Sequence, residues 1–250
     1  MVRTGASESA AARRESLKEL WHEARECTRC PQLAATRTTV VFGSGNADAD
    51  LMFVGEAPGA SEDQQGLPFV GRAGRLLDQL LEEIGLARAD VFVTNTLRCR
   101  PPGNRDPLPV EIENCSSYLL RQVELIEPSA ICTLGNFATK LLRGDPTGIT
   151  RLHGQPEVIA LGSRSVRLYP LYHPAAALYT PSLLATLRED FAGIPSLLAD
   201  GAPEQPYAAD AVDAAASEPK DDELAVLDRR ERLPPLSGEA AEDAHQLDLF

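Results

Sequence analysis

Five cysteines offer the chain's most reactive side chains: Cys27, Cys30, Cys99, Cys115 and Cys132. Cys27 and Cys30 form a C-x2-C pair, and the others are widely spaced. Four thiolates can hold zinc or an iron–sulfur cluster. A zinc ribbon brings two C-x2-C pairs, and here there is one. Spacing alone leaves a metal site and a reactive pair with inert, buried cysteines equally open. Cys132 lies in the apolar run Ala130–Leu134 and reads as a small core hydrophobe. A second feature is the loop from Gly55 to Gly74, GEAPGASEDQQGLPFVGRAG. Its glycines let the backbone approach a ligand closely. The helix that follows presents amide donors at its start. Phe69 sits among Pro and Gly rather than in a periodic stretch, so it offers a flat stacking surface. Read alone, this is any ligand loop or an ordinary turn.

These residues need elements to hold them. Helical spacing of Leu17, Leu20, Trp21 and Ala24 predicts a helix over Glu15–Glu26. Thr38–Phe42, Leu51–Gly55, Val91–Thr96, Ala130–Leu134, Glu157–Ala160 and Ser165–Leu171 read as strands. Leu51–Val54 is apolar throughout, as in a strand buried on both faces. Leu76, Leu77, Leu80, Leu81 and Ile84 form one helical stripe. Further helices are expected over Pro109–Ile126, Asn136–Leu142 and Ser182–Leu198. Strands alternating with helices define an α/β class with a mainly parallel sheet. Sites on such sheets gather after the carboxyl ends of strands. Three loops qualify: after Gly55, after Asn95 and at His173-Pro174.

Taken together, the motifs carry a resemblance. GEAPG at Gly55–Gly59, GLPFVGRAG at Gly66–Gly74, Asn95 with Cys99-Arg-Pro-Pro, the four cysteines and HPAAALYTP from His173 resemble family 4 uracil-DNA glycosylases over residues 15–200. The resemblance implies a three-layer α/β/α sandwich around a short, mainly parallel central sheet. It implies a [4Fe–4S] cluster on Cys27, Cys30, Cys99 and Cys115, with Cys132 left over. It implies uracil-containing DNA, single- or double-stranded, as substrate. Gly55, Ala57, Glu62, Phe69, Asn95 and His173 would form the substrate-binding set. Phe69 would stack on a flipped base, Asn95 would read its edge, and His173 would stabilise the leaving anion. Other uracil-DNA glycosylase families place Asp or Asn where this chain has Ala57. Glu56 is then the nearest carboxylate to position water, and Glu62 would crowd the C5 side of the base. Arg98, Arg100 and Arg105 read as phosphate contacts near the cluster loop. Leu178 and Tyr179 read as the wedge that fills the hole left by the base. Arg143, Arg151, Arg164 and Arg167 read either as a DNA-facing strip or as solvated arginines.

Two other function classes compete with the enzyme: a uracil-DNA sensor that binds without cleaving or traps its substrate covalently, and an Fe–S scaffold recruited to replication. The covalently trapping relatives carry a basic insert that PPGNRDPLP replaces here, which favours turnover.

Charge at first argues against DNA, because 37 acidic residues face 24 basic ones, a net of −13. Residues 201–250 alone carry 13 acidic and 4 basic residues. The acidity therefore belongs mostly to a stretch read as a disordered linker, 201–245. Gln246, Leu247, Leu249 and Phe250 then resemble the bacterial sliding-clamp-binding pentapeptide, with the apolar pair plugging a pocket. Residues 1–14 read as a flexible N-terminus without an apolar signal region. No apolar run is long enough for a membrane span. The expectation is a cytoplasmic monomer.

Overall fold

The computed structural model describes residues 10–206. The linker beyond 206 and the Gln246–Phe250 motif lie outside the described residues.

The helices are α1 (Ala10–Arg25), α2 (Pro31–Thr36), α3 (Ala60–Gln65), α4 (Arg72–Glu83), α5 (Pro109–Ile126), α6 (Asn136–Arg143), α7 (Ile149–Leu152), α8 (Pro174–Tyr179), α9 (Ser182–Ala192) and α10 (Ile194–Ala199). The strands are β1 (Ser44–Gly45), β2 (Leu51–Gly55), β3 (Phe92–Asn95), β4 (Ala130–Leu134), β5 (Glu157–Leu161) and β6 (Arg164–Leu171). They form one sheet in the order β1-β3-β2-β4-β6-β5. β3, β2, β4 and β6 run parallel, and the two edge strands are antiparallel.

Alternation along β2 sorts the core. Met52 and Val54 point to one face, with Leu17, Leu20 and Trp21 of α1 and Tyr118, Val123 and Ile126 of α5. Leu51 and Phe53 point to the other, with Leu77 and Leu80 of α4, Leu187 and Phe191 of α9 and Ile194 of α10. β2 and β4 are buried along their whole length, which explains their unbroken apolar runs. The result is the expected three-layer α/β/α sandwich.

Four expectations change. First, α1 already includes Ala10–Arg14, where a flexible terminus was expected, and Arg13 turns inward and pairs with Asp48. Second, Thr38–Phe42 is extended but is not a strand. Its backbone groups are claimed singly: the Val41 N–H donates to the Arg98 carbonyl at 2.8 Å, and the Phe42 carbonyl accepts from the Gln122 amide at 2.9 Å. Third, the helix expected over Ser182–Leu198 breaks at Gly193, and Pro195 opens α10. Fourth, residues 201–206 pack on the domain. The Gln205 side chain bonds both the N–H and the carbonyl of Ser165.

Candidate active site and cysteine pocket

A cavity of about 410 Å³ opens above the carboxyl ends of β2 and β3. Gly55 ends β2 and Asn95 ends β3, paired in parallel register. That pairing lays the Asn95 side chain across Gly55. A Cβ at Gly55 would stand 2.4 Å from Asn95 Oδ1 and 2.8 Å from Phe69 Cζ, so only glycine fits. Asn95 is 2 % exposed, yet its amide has no partner among the described residues. The amide faces the cavity, where it is free to bond a ligand.

Phe69 is held against its own backbone preference. Its φ is 54°, a left-handed conformation that a bulky residue seldom adopts. Three supports impose it. Glu62 Oε1 accepts from the N–H groups of Val70 at 3.1 Å and Gly71 at 3.0 Å. Arg88 donates to the Pro68 carbonyl at 2.5 Å. Gly74 lets α4 approach so closely that a Cβ there would lie 1.6 Å from the Phe69 carbonyl oxygen. The phenyl ring stands 5.6 Å from the His173 ring at 24° between planes.

His173 precedes α8 and lines the same cavity. Its Nδ1 accepts from the Ala175 N–H at 3.0 Å, which assigns the proton of the neutral ring to Nε2. Burial pushes its pKa down to about 4, against a weaker upward pull from Glu62. The imidazole is therefore neutral at physiological pH and donates through Nε2. Glu56 lines the cavity as well, and burial followed by the nearby Asp106 carboxylate raises its pKa. Ala57 adds only a small wall. The cavity thus joins an aromatic face, a free amide, a neutral N–H donor and a carboxylate. That set can sandwich a flat heterocycle, read its edge and stabilise negative charge on it.

The cysteines form a second site. Cys27, Cys30, Cys99 and Cys115 line one small pocket between α1, the start of α2, the segment after β3 and α5. Arg37 donates to Cys99 Sγ at 3.3 Å, and Asn114 Nδ2 to Cys30 Sγ at 3.7 Å. Burial pushes the Cys99 thiol up to about 11 and raises Cys30 and Cys115 too. Thiolates here need a positive group among them. Among the described residues no set of three or more His, Cys, Asp or Glu could hold a metal ion. Four thiols around one pocket are the donor set that an iron–sulfur cluster takes. Cys132 stays apart, fully buried in β4, and burial raises its pKa.

The arginine expectations need correction. Arg98 is 2 % exposed and cannot reach a phosphate. Its guanidinium donates to the Asn95 carbonyl and, at 2.6 Å, to Gln122 Oε1. Arg105 lines the cavity but pairs with Glu111 at 2.5 Å. Arg100 donates to Asn104 Oδ1 at 2.7 Å from an exposed position. In the proposed strip, Arg143 pairs with Glu157, Arg164 with Glu127, and Arg167 with the Gly201 carbonyl. Folding uses three of those four charges, and Arg151 alone stands exposed. Leu178 packs on the core, whereas Tyr179 is 82 % exposed. Sequence reasoning missed Arg88 and Gln122, because nothing local marks a side chain whose partners lie 20 to 80 residues away.

Residues 42–192 match the model of the uracil DNA glycosylase superfamily, and the chain belongs to it. Three relatives narrow the placement. A type-4 uracil-DNA glycosylase of Archaeoglobus fulgidus is 45% identical over 187 residues, covering 73% of this chain and 94% of the relative. One from Sulfurisphaera tokodaii is 46% identical over 188 residues, 73% and 85% of the two chains. One from Thermotoga maritima is 46% identical over 164 residues, 65% and 83%. Within the superfamily, this chain belongs with the type-4 uracil-DNA glycosylases.

Proposed function

We propose that the chain removes uracil from DNA by flipping the nucleotide into the cavity and hydrolysing its N-glycosidic bond. It is an enzyme of DNA repair, and the finer roles follow from the side chains. Flipping is required because the target atom is hidden in the base stack. Phe69 takes the face of the uracil. The Asn95 amide donates to O4 and accepts from N3–H, a pattern that cytosine reverses. A cytosine would leave two polar groups unpaired in a closed cavity.

Cleavage breaks the C1′–N1 bond, and its electron pair stays on the uracil. Negative charge then spreads to O2, where the His173 Nε2–H donates. Water adds its oxygen to the sugar C1′ and loses a proton. Glu56 is the carboxylate placed to orient that water and take the proton. Glu62 holds the Phe69 loop, and its place in the cavity wall restricts the space beside the base. Gly55 and Ala57 contribute by being small. The observation that carries this reading is the convergence of Phe69, Asn95 and a neutral His173 on one cavity.

Cys27, Cys30, Cys99 and Cys115 would hold a [4Fe–4S] cluster, which would tie the start of α2 to the segment after β3. The donor set and the N–H groups aimed at sulfur support that reading. Gln246, Leu247, Leu249 and Phe250 would engage a bacterial sliding clamp, a reading supported by the pentapeptide pattern alone. Among the described residues no helix is long and apolar enough to cross a membrane. The chain would act as a cytoplasmic monomer.

The deciding experiment is a single-turnover assay on a uracil-containing oligonucleotide. Abasic product is expected. Binding without product would replace the enzyme with a sensor. Deleting residues 246–250 should abolish clamp binding and spare cleavage of a short oligonucleotide, and unchanged clamp affinity would remove that partner.

A further inference from the structure

One buried cation stands between the cysteine pocket and the base-reading cavity. Arg98 lines the cysteine pocket with Cys99 and Cys115. Its Nη1 donates to the Asn95 carbonyl, its Nη2 to Gln122 Oε1 at 2.6 Å, and its Nε has no partner among the described residues. Gln122 is itself fixed, donating to the Phe42 carbonyl at 2.9 Å and accepting from Thr94 Oγ1 at 3.2 Å. Thr94 is the neighbour of Asn95 on β3. Cys99 and Cys115 are its neighbours in that pocket, and no carboxylate pairs with it among the described residues. A buried guanidinium with no counter-charge is strongly unfavourable. A negatively charged group held by Cys99 and Cys115 would stand beside this guanidinium and supply the missing charge.

The other end of Arg98 matters for recognition. The Asn95 amide makes no bond among the described residues, so its aim depends on its backbone. That backbone is set by the β2 register on one side and by Arg98 on its carbonyl. We propose that Arg98 is a positioning residue that couples the four-cysteine site to uracil recognition, holding Asn95 in register while the cysteine-bound group balances its charge. This rests on the cluster reading above.

The test uses the full chain purified with its bound iron, and two variants, Arg98→Met and Arg98→Lys. Iron content, visible absorbance, cluster reduction potential, kcat and KM on a uracil oligonucleotide are measured for each. Arg98→Met should lose on the order of 10- to 100-fold in kcat/KM. Its remaining cluster should be harder to reduce, because a cation beside it has gone. Arg98→Lys keeps the charge and should recover both the potential and part of the activity. An iron-replete Arg98→Met protein with unchanged kinetics and potential overturns the inference. Should Arg98→Met fail to fold, Gln122→Met decides. It removes one anchor and leaves the charge, so activity should fall several-fold at full iron content. Unchanged activity there overturns the inference equally. Absence of iron from the unaltered protein would instead sink the cluster reading, and iron without excision would sink the enzyme reading.

Discussion

The rings of Phe69 and His173 lie 5.6 Å apart, within 24° of parallel, in the same cavity. Phe69 reaches that arrangement against its backbone preference, and His173 through a local bond at the start of α8. Phe69 sits at a φ of 54°, and His173 accepts a backbone N–H through Nδ1, so its ring cannot turn without losing that bond. The two are held from different directions, by the loop after β2 and the turn after β6. The cavity is thus built before any base enters it, and preorganised donors are the ones that count most in a transition state.

His173 makes stability depend on pH. Its pKa falls from the ordinary 6.5 to about 4 in the folded chain. The unfolded chain therefore binds a proton between those values that the folded chain refuses. Stability is fully present above pH 6.5 and is lost as pH falls toward 4, by roughly 3 kcal/mol at the low end. Urea unfolding midpoints across that window should show the slope, and His173→Gln should flatten it. A slope of equal size in both proteins would assign it to other groups. The same substitution should cost about 10²–10³ in the rate of uracil release, because it weakens one donor to the leaving anion.

Gly55→Ala places a methyl where the Asn95 amide and the Phe69 ring already lie. The fold can absorb this only by moving one of them. Excision should fall at least 100-fold, and overpacking this buried strand end should cost about 1–3 kcal/mol of stability. Normal kcat/KM in this variant would show that neither side chain needs its present place.

Glu62 separates a loop-holding role from a charge role. Glu62→Gln keeps an acceptor for Val70 and Gly71, whereas Glu62→Ala loses both bonds. Each loop bond is worth about 1 kcal/mol net. The alanine variant should therefore be less stable by about 2 kcal/mol and lose activity, with the glutamine variant close to the parent in both. If Glu62→Gln falls as far as Glu62→Ala, the carboxylate charge matters in its own right.

Periodicity exposed the frame of this molecule. Pro109–Ile126 and Ala130–Leu134 match α5 and β4 end to end, because each is long or wholly apolar. The motif residues Asn95, Phe69 and His173 were legible through the resemblance, and the structure brings all three to one cavity. What sequence hid was direction. Arg98 follows a strand and precedes a cysteine in an arginine-rich loop, which reads as surface, but its guanidinium turns inward to Asn95 and Gln122. Thr38–Phe42 has the composition of a strand but shares its bonds with side chains far along the chain. The φ of Phe69 depends on Arg88 and Gly74, and no window of neighbouring residues encodes that.

Tyr179 offers the last test. It ends α8, the helix that starts beside His173, so it stands roughly 9 Å along the axis from the cavity. At 82 % exposed it contributes little to folding, and a large aromatic left in water near a DNA-facing cavity is suited to stacking. In a duplex, a flipped uracil leaves a hole that something must fill, and single-stranded DNA leaves none. A base–aromatic stack is worth about 1–3 kcal/mol, or roughly 5- to 150-fold. Tyr179→Ser should therefore lower kcat/KM on duplex uracil by that factor, leave the single-stranded rate near the parent value, and leave melting unchanged. Leu178 packs on the core, so Leu178→Ser should lower stability instead. Equal losses on both substrates for Tyr179→Ser would remove the wedge role and leave Tyr179 as a general DNA contact.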